Sequence, residues 1–324
     1  MKLHENPELF SDAIIAASRP ISEGGLGIKD IFIEKDYWIS RSLQMLSKVD
    51  NEGKAVFKGG TSLSKAYGIG SRFSEDIDIA ILDTKSMNGN QLKNLIKKTA
   101  KGMATGLDEI VIPGTTSKGS HYHKAFFQYP RLATTEQAGA IKAGQILIEI
   151  SAFGNPYPYE KMKLKSFLTE FFAKIGQNKL IDEYEMREFE IFVLNKRRTL
   201  TEKLVSLIRA SLAVNSIQNL TEKIRHFYDL HYLMQDEDVK KYARSEHFKI
   251  DFNTLIIEDQ KRFEKPEGWQ HKKLTDSPLI NNLQVTWHQL QGAYIKELPY
   301  LAYQAIPTTD TILSSMNEII NCLK

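Results

Sequence analysis

Two short runs hold the side chains best suited to chemistry. Asp76-Ile77-Asp78 sets two carboxylates either side of an isoleucine, at the head of an apolar run that continues through Ile79, Ala80 and Ile81. Successive side chains of a strand alternate faces, so both carboxylates share one face while Ile77, Ile79 and Ile81 pack on the other. Like charges this close repel, and one would stay protonated unless something positive lies between them. A divalent cation, Mg²⁺ or Mn²⁺, is the usual remedy, and it keeps part of its shell for water and substrate phosphate. Upstream, Phe57-Lys58-Gly59-Gly60-Thr61-Ser62 reads as a strand end, a glycine turn and the start of a helix running to about Tyr67, with Thr61 or Ser62 as its cap. Exposed N–H groups at such a turn suit phosphate. Together the two runs predict a nucleoside triphosphate site and phosphoryl or nucleotidyl transfer.

Other candidates stand near these runs or further along. A guanidinium at Arg72 can pair with phosphate oxygens or hold the loop against Glu75 or Asp76. Ser74 precedes Asp76 by two residues, where an added phosphate would oppose nucleotide binding. Ile146-Leu147-Ile148-Glu149-Ile150 places one carboxylate in an apolar strand; Glu149 is expected to be a third acid of the site, an edge residue facing water, or the partner of a lysine. His121 and His123 lack a third ligand nearby and read as ordinary surface histidines.

The elements that must position these groups follow from periodicity. Helices are expected over residues 7–18, 33–49 and 90–105, and strands over 109–112, 121–129 and 145–151. In the second helix Tyr37, Trp38, Leu43 and Leu46 are the expected buried positions, and Glu34-Lys35-Asp36 is expected to face water. Lys93, Lys97, Lys98 and Lys101 give the third a basic outer face. The run Asn155-Pro156-Tyr157-Pro158-Tyr159 breaks regular structure and reads as a hinge. Beyond it come helices over 163–175, 200–214 and 223–230 and a strand over 189–194. Arg225 and Asp229, four apart, suit an intrahelical pair. After residue 235 only a helical pattern is legible, around 236–263, 278–298 and 310–323. Trp269, Trp287, Tyr294, Tyr300 and Tyr303 serve helix packing or, if exposed, stacking on RNA bases.

Composition narrows the class. The 324 residues, 42 % of them hydrophobic, suffice for one large or two ordinary domains. Forty-three basic against 40 acidic residues leave a formal charge of +3, so an RNA site must be a local patch. The single cysteine, Cys322, excludes an intrachain disulfide and a cysteine-rich zinc site and fits a reducing cytoplasm. No apolar run reaches membrane-spanning length, and the start of the chain lacks the pattern of a signal peptide.

Five blocks in order, Glu34-Lys35-Asp36-Tyr37-Trp38, Phe57 to Ser62, Arg72 to Asp78, Glu202-Lys203-Leu204 through Arg209, and Arg225-His226-Phe227-Tyr228-Asp229-Leu230, resemble the AbiEii/AbiGii-type toxins of the nucleotidyltransferase superfamily. The resemblance covers about residues 30 to 235 and implies an α/β (α+β) fold. An N-terminal nucleotidyltransferase domain with a mixed sheet would span residues 1–155, and a mainly helical domain, residues 156–324, would complete the cleft. It implies that Asp76, Asp78 and Glu149 hold the metal, that Gly59, Gly60, Thr61, Ser62, Arg72 and Lys203 bind the nucleotide, and that Lys203 and Asp229 join the two aspartates in catalysis. It also implies a cytoplasmic toxin of a toxin–antitoxin or phage-defence system. The expected acceptor is the 3′ end of tRNA or another RNA, and the expected partner a separately encoded antitoxin. Two alternatives stay open: transfer to a protein or small molecule, and a non-catalytic nucleotide-binding module. A phosphohydrolase built on Asp-x-Asp is weaker, since that chemistry does not need the glycine turn.

Overall fold

Helix α1 (Pro7–Ser18) starts where proline costs nothing, at the first helical position, and the Asn6 side chain caps it by accepting from Leu9 N. It belongs to the first of two compact units, Met1–Gly68 with Phe73–Leu194; the second comprises Ile69–Arg72 and Asn195–Lys324. The structure, a computed structural model, describes residues 1–50, 52–82, 84, 87–139 and 141–323.

The first unit continues with α2 (Asp30–Val49), β1 (Ala55–Lys58), α3 (Gly59–Tyr67), β2 (Asp76–Ile81), α4 (Gly89–Met103), β3 (Asp108–Ile110), β4 (Ser117–Lys118) and β5 (Tyr122–Gln128). Then come β6 (Gln137–Ala138), β7 (Ile141–Lys142), β8 (Gln145–Ser151), β9 (Tyr159–Leu164), α5 (Phe167–Lys174), α6 (Asn178–Glu183) and β10 (Phe189–Leu194). Its mixed sheet has the order β3-β5-β8-β2-β1-β10-β9, with β4 paired to β5 off this path. Pairings β2–β8 and β1–β10 are parallel, the others antiparallel. The expected α/β architecture with a mixed sheet is thus the one observed.

The expected domain change at residue 155 and the observed division at Leu194 differ for a visible reason. Residues 159–164 extend the sheet as an edge strand, every residue of β9 pairing with β10. Lys163 therefore lies within a strand and does not begin a helix, because Met162 and Leu164 alternate with the exposed Lys161 and Lys163 at a period of two. The strands β4, β6 and β7 are two residues each, too short to leave a periodic signal.

Helix α2 overturns a second expectation. Every residue from Ile31 to Ser40 is buried, including Glu34, Lys35 and Asp36. Charge is tolerated there because each group meets a partner. Glu34 Oε1 accepts from Leu132 N at 2.5 Å. Lys35 Nζ donates to Glu75 Oε2 at 2.5 Å and to Lys142 O at 2.7 Å. Asp36 accepts from Lys65 Nζ of α3 and from Phe167 N. Tyr37 and Trp38 are buried as expected. The α4 lysines 93, 97, 98 and 101 are exposed, as the pattern predicted, whereas His123 lies buried and only His121 stays exposed.

The second unit is helical: α7 (Lys196–Ser211), α8 (Ser216–Thr221), α9 (Ile224–Leu233), α10 (Glu237–Ala243), α11 (Glu246–Arg262), α12 (Pro278–Asn281), α13 (Leu283–Leu301) and α14 (Thr309–Leu323). Leu204, Leu207 and Ile208 of α7 are buried, as are Phe227 and Leu230 of α9, Trp287 and Tyr294 of α13, and Ile312 and Met316 of α14. Trp269, Trp287 and Tyr294 prove to be packing residues, each donating to a backbone carbonyl, of Phe263, Thr309 and Pro307 respectively. Tyr300 is exposed. No helix among the described residues is long and apolar enough to cross a membrane.

Removing one partner of a buried ion pair strands the other. Lys35→Met is accordingly expected to lower unfolding free energy by about 3 kcal/mol. Urea denaturation of the purified variant checks this, and a change under about 0.5 kcal/mol, typical of surface substitutions, would contradict the role given to Lys35.

Candidate active site

The acidic strand has the geometry its alternation predicts. Ile77, Ile79 and Ile81 of β2 are buried, while Asp76 and Asp78 are partly exposed on the opposite face. On the parallel neighbour β8, Glu149 stands in register with Asp78. All three acids therefore project from one sheet face, Asp78 and Glu149 on strands about 4.8 Å apart. Lys58 of β1 lies in register with Asp78 from the other side, a cross-strand cation that sequence reasoning did not single out.

The glycine turn is fitted to this face. Gly59 has φ +82°, and a Cβ built on it would fall 2.1 Å from Asp78 Oδ2. Glycine is required twice over, for its backbone conformation and for the approach of a carboxylate. Neither Thr61 nor Ser62 caps α3, contrary to the sequence expectation. The helix begins at Gly59 itself, with Lys58 in the cap position and no side-chain cap. Thr61 donates instead to Asp76 O at 2.5 Å, tying the helix to the first residue of the acidic strand, and Ser62 donates to Gly59 O at 2.9 Å. Both side chains are buried, so the backbone N–H groups of the first turn are what the turn can offer a phosphate.

Glu149 has partners of its own. Lys124 Nζ lies 2.7 Å from its Oε1, and Tyr122 OH donates to Oε2 at 2.8 Å. Of the readings left open for Glu149, pairing with a lysine is realised, beside rather than away from the aspartates. The Tyr122 phenol is pushed upward by burial and by the charge of Glu149, followed by Asp78 and Asp76. One side chain thus senses all three carboxylates. Tyr122 and Lys124 were also missed; their one signal was alternation within a strand that proves to pair with β8.

Among the described residues, no group of three His, Cys, Asp or Glu side chains is placed to hold a metal ion by itself. Asp76 and Asp78 still fit a cation of the Mg²⁺ kind, which takes one or two carboxylates and fills its shell with water and phosphate oxygens. Ser74 lies ahead of the strand, which begins at Asp76.

The remaining candidates gather in the helical unit. Asp229 does not pair with Arg225, which turns to Glu297 instead. Arg72 Nε and Nη2 each donate to Asp229 at 2.7 Å, and Lys203 Nζ lies 2.7 Å from the same carboxylate. All three side chains are buried. Burial alone would raise the Asp229 carboxyl, but the Arg72 guanidinium and the Lys203 ammonium outweigh it and hold the group well below the usual carboxylate range. Arg72 is further placed by Tyr228, whose ring lies 6.0 Å from the guanidinium and whose hydroxyl accepts from Ser71 N.

A family model described as "Nucleotidyl transferase AbiEii toxin, Type IV TA system" matches residues 41–314. The chain belongs to the AbiEii family. The AbiEii chain is thereby a nucleotidyltransferase toxin of a type IV toxin–antitoxin system, as the ordered blocks implied. The match runs well past residue 235, where the sequence pattern alone fell silent. Among solved structures the chain is similar to MenT4, a nucleotidyltransferase toxin from Mycobacterium tuberculosis H37Rv, at 14 % identity and TM-score 0.52, over 90 % of this chain and 84 % of that one. That likeness bears on fold. A protein from Helicobacter pylori, JHP933, is matched at 16 % identity and TM-score 0.37, over 81 % and 93 % of the two chains. No curated protein matches.

Two substitutions probe the candidate site. Gly59→Ala is expected to cost about 1–2 kcal/mol in backbone strain and to displace Asp78, abolishing nucleotidyl transfer while the fold persists; thermal melting and transfer measured on one sample check both. Asp229→Asn is expected to destabilise by about 3 kcal/mol at neutral pH. Since the folded-state pKa of Asp229 is depressed by Arg72 and Lys203, its stabilisation is complete above the unfolded carboxyl value of about 4 and is lost only as pH falls toward the folded value. The stability gap between wild type and variant is thus expected to be flat from pH 7 to about 5 and to narrow below about 4.

Proposed function

We propose that this toxin transfers a nucleoside monophosphate from a nucleoside triphosphate to an RNA hydroxyl, the 3′ end of tRNA being the leading acceptor. The observation that carries the reading is the single sheet face bearing Asp76, Asp78 and Glu149, with Gly59 in direct approach to Asp78. Asp76 and Asp78 would hold Mg²⁺ or Mn²⁺, which when bound neutralises phosphate charge and acidifies an attacking hydroxyl. Backbone N–H groups of the Gly59-Gly60-Thr61 turn receive phosphate oxygens. The acceptor oxygen bonds to the α-phosphorus, the bond from that phosphorus to its bridging oxygen breaks, and pyrophosphate leaves with the electron pair. The hydroxyl proton passes to a carboxylate of the same face, where Tyr122 and Lys124 fix the orientation of Glu149. Lys203 and Arg72, oriented through Asp229, supply positive charge for phosphate. A separately encoded antitoxin would restrain the activity.

A labelled-nucleotide experiment tests this. Purified protein, total bacterial RNA and Mg²⁺ are incubated with each α-labelled nucleoside triphosphate, beside Asp76→Ala/Asp78→Ala and a sample treated with chelator. Label is expected in small RNA with wild type alone, with at least a thousandfold loss in the variant, on the order of 4 kcal/mol in the barrier. Label in protein, or none with any nucleotide, would overturn the RNA reading. Ser74→Glu run alongside is expected to weaken transfer by adding charge next to Asp76.

A further inference from the structure

Two groups beside the Arg72–Asp229–Lys203 cluster are left unexplained by it. Lys223 occupies the cap position of α9 and His226 follows one turn later, its N–H bonded to Lys223 O at 2.8 Å. Asp229 is one further turn along the same helix, so Lys223, His226 and Asp229 recur at three-residue spacing. Across from α9, α7 contributes Lys203, bonded to that Asp229. Among the described residues neither the Lys223 ammonium nor the His226 ring has an ion-pair or hydrogen-bond partner.

The charge balance here is uneven. Asp229 already serves both Arg72 and Lys203. Arg209, the other cation acting on Lys223, is taken by Asp259 at 3.0 Å. The acid nearest Lys223 in sequence, Glu222, is exposed. Arg72 and Lys203 thus share one buried carboxylate, and among the described residues no carboxylate is bonded to Lys223. An ammonium half removed from water beside like charges is costly unless an anion completes its surroundings. Its pKa is lowered accordingly, by burial first and then by Arg209 and Lys203, with Glu222 opposing. The groups acting on His226 are Lys203, Lys223, Asp229 and Arg72; burial and the cations among them keep the imidazole neutral, with an N–H to donate.

We infer that Lys223, His226 and Lys203 form a phosphate-oxyanion site in the helical unit, built for a phosphate-bearing ligand. The chemistry that fits is compact, multiply charged and rich in acceptors. Inorganic pyrophosphate or a triphosphate tail meets it, and so does the backbone of an RNA strand. The inference rests on the proposed function only for the choice between these sources; the site itself stands on the unbalanced charge.

The test compares wild type with Lys223→Gln and Lys223→Arg by titration calorimetry, using two probes in turn. Metal-free inorganic pyrophosphate is one, and a short RNA oligonucleotide with a 5′-hydroxyl is the other. If the ligand is a nucleotide tail, pyrophosphate affinity falls about tenfold in Lys223→Gln and recovers in Lys223→Arg. If it is RNA, the slope of log affinity against log salt for the oligonucleotide shrinks by about one. In either case the His226 imidazole resonance titrates at higher pH with the probe bound than without it. Lys223→Gln melts no lower than wild type, because it removes a repulsion, so lost binding cannot be ascribed to unfolding. Unchanged affinity and salt slope for both probes, with an unmoved His226 resonance, overturns the inference. Asp76→Ala/Asp78→Ala should retain metal-free pyrophosphate binding while losing transfer; a wild type that binds pyrophosphate but transfers no nucleotide to RNA would count against the proposed function alone.

Discussion

The contact on which the first unit depends is the approach of the Asp78 carboxylate to the backbone of Gly59. No side chain fits between them, since a Cβ at Gly59 would overlap Asp78 Oδ2. The chain must therefore leave β1 through a left-handed residue and start α3 at once, with its first turn uncapped next to a carboxylate. Partial positive charge at a helix N-terminus favours such a neighbour. Two further ties keep α3 and β2 together. Thr61 bonds to Asp76 O, and Asp36 and Lys35 of the buried helix α2 reach Lys65 and Glu75, one in α3 and one just ahead of Asp76.

These ties explain why α2 carries charge in its interior. A helix buried all round is ordinarily apolar. Here Glu34, Lys35 and Asp36 reach out to three different segments, at Leu132, at Glu75 and Lys142, and at Lys65 and Phe167. Replacing one such pair with apolar residues of equal volume could match it in stability. It would not fix the relative position of a helix start and a strand start with the directionality of hydrogen bonds.

What sequence made legible was whatever depends on period and spacing. The two faces of β2, the apolar run of β8, the α1 boundaries and the helical stripe of α7 follow from alternation at two or near four residues, and the structure has them there. Glu149 was singled out by the cost of a charge in an apolar strand. Its neighbours on the face were not, because Lys58 and Lys124 are brought to it by strand pairing between residues far apart in the chain. The same limit applies to Arg72 and Asp229, which are 157 residues apart and whose pairing no local pattern encodes. The i,i+4 rule offered Arg225 for Asp229, yet a closer cation in three dimensions took its place. Burial of Glu34, Lys35 and Asp36 was illegible for the opposite reason: composition argues for water, and only the partners argue against it.

The placement of the acids also limits how they can move. β2 is an interior strand, hydrogen-bonded to β1 on one side and β8 on the other, so shifting Asp76 or Asp78 along the sheet would break two ladders at once. A slip of one residue would send both carboxylates to the face of Ile77 and Ile79 and bring those isoleucines into water. The repulsion among the acids therefore cannot relax through the backbone. It is left to Lys58, Lys124 and Tyr122 around the site and to whatever cation enters it, and the burial of Ile77, Ile79, Ile148 and Ile150 on the far face is what holds the charges at that separation.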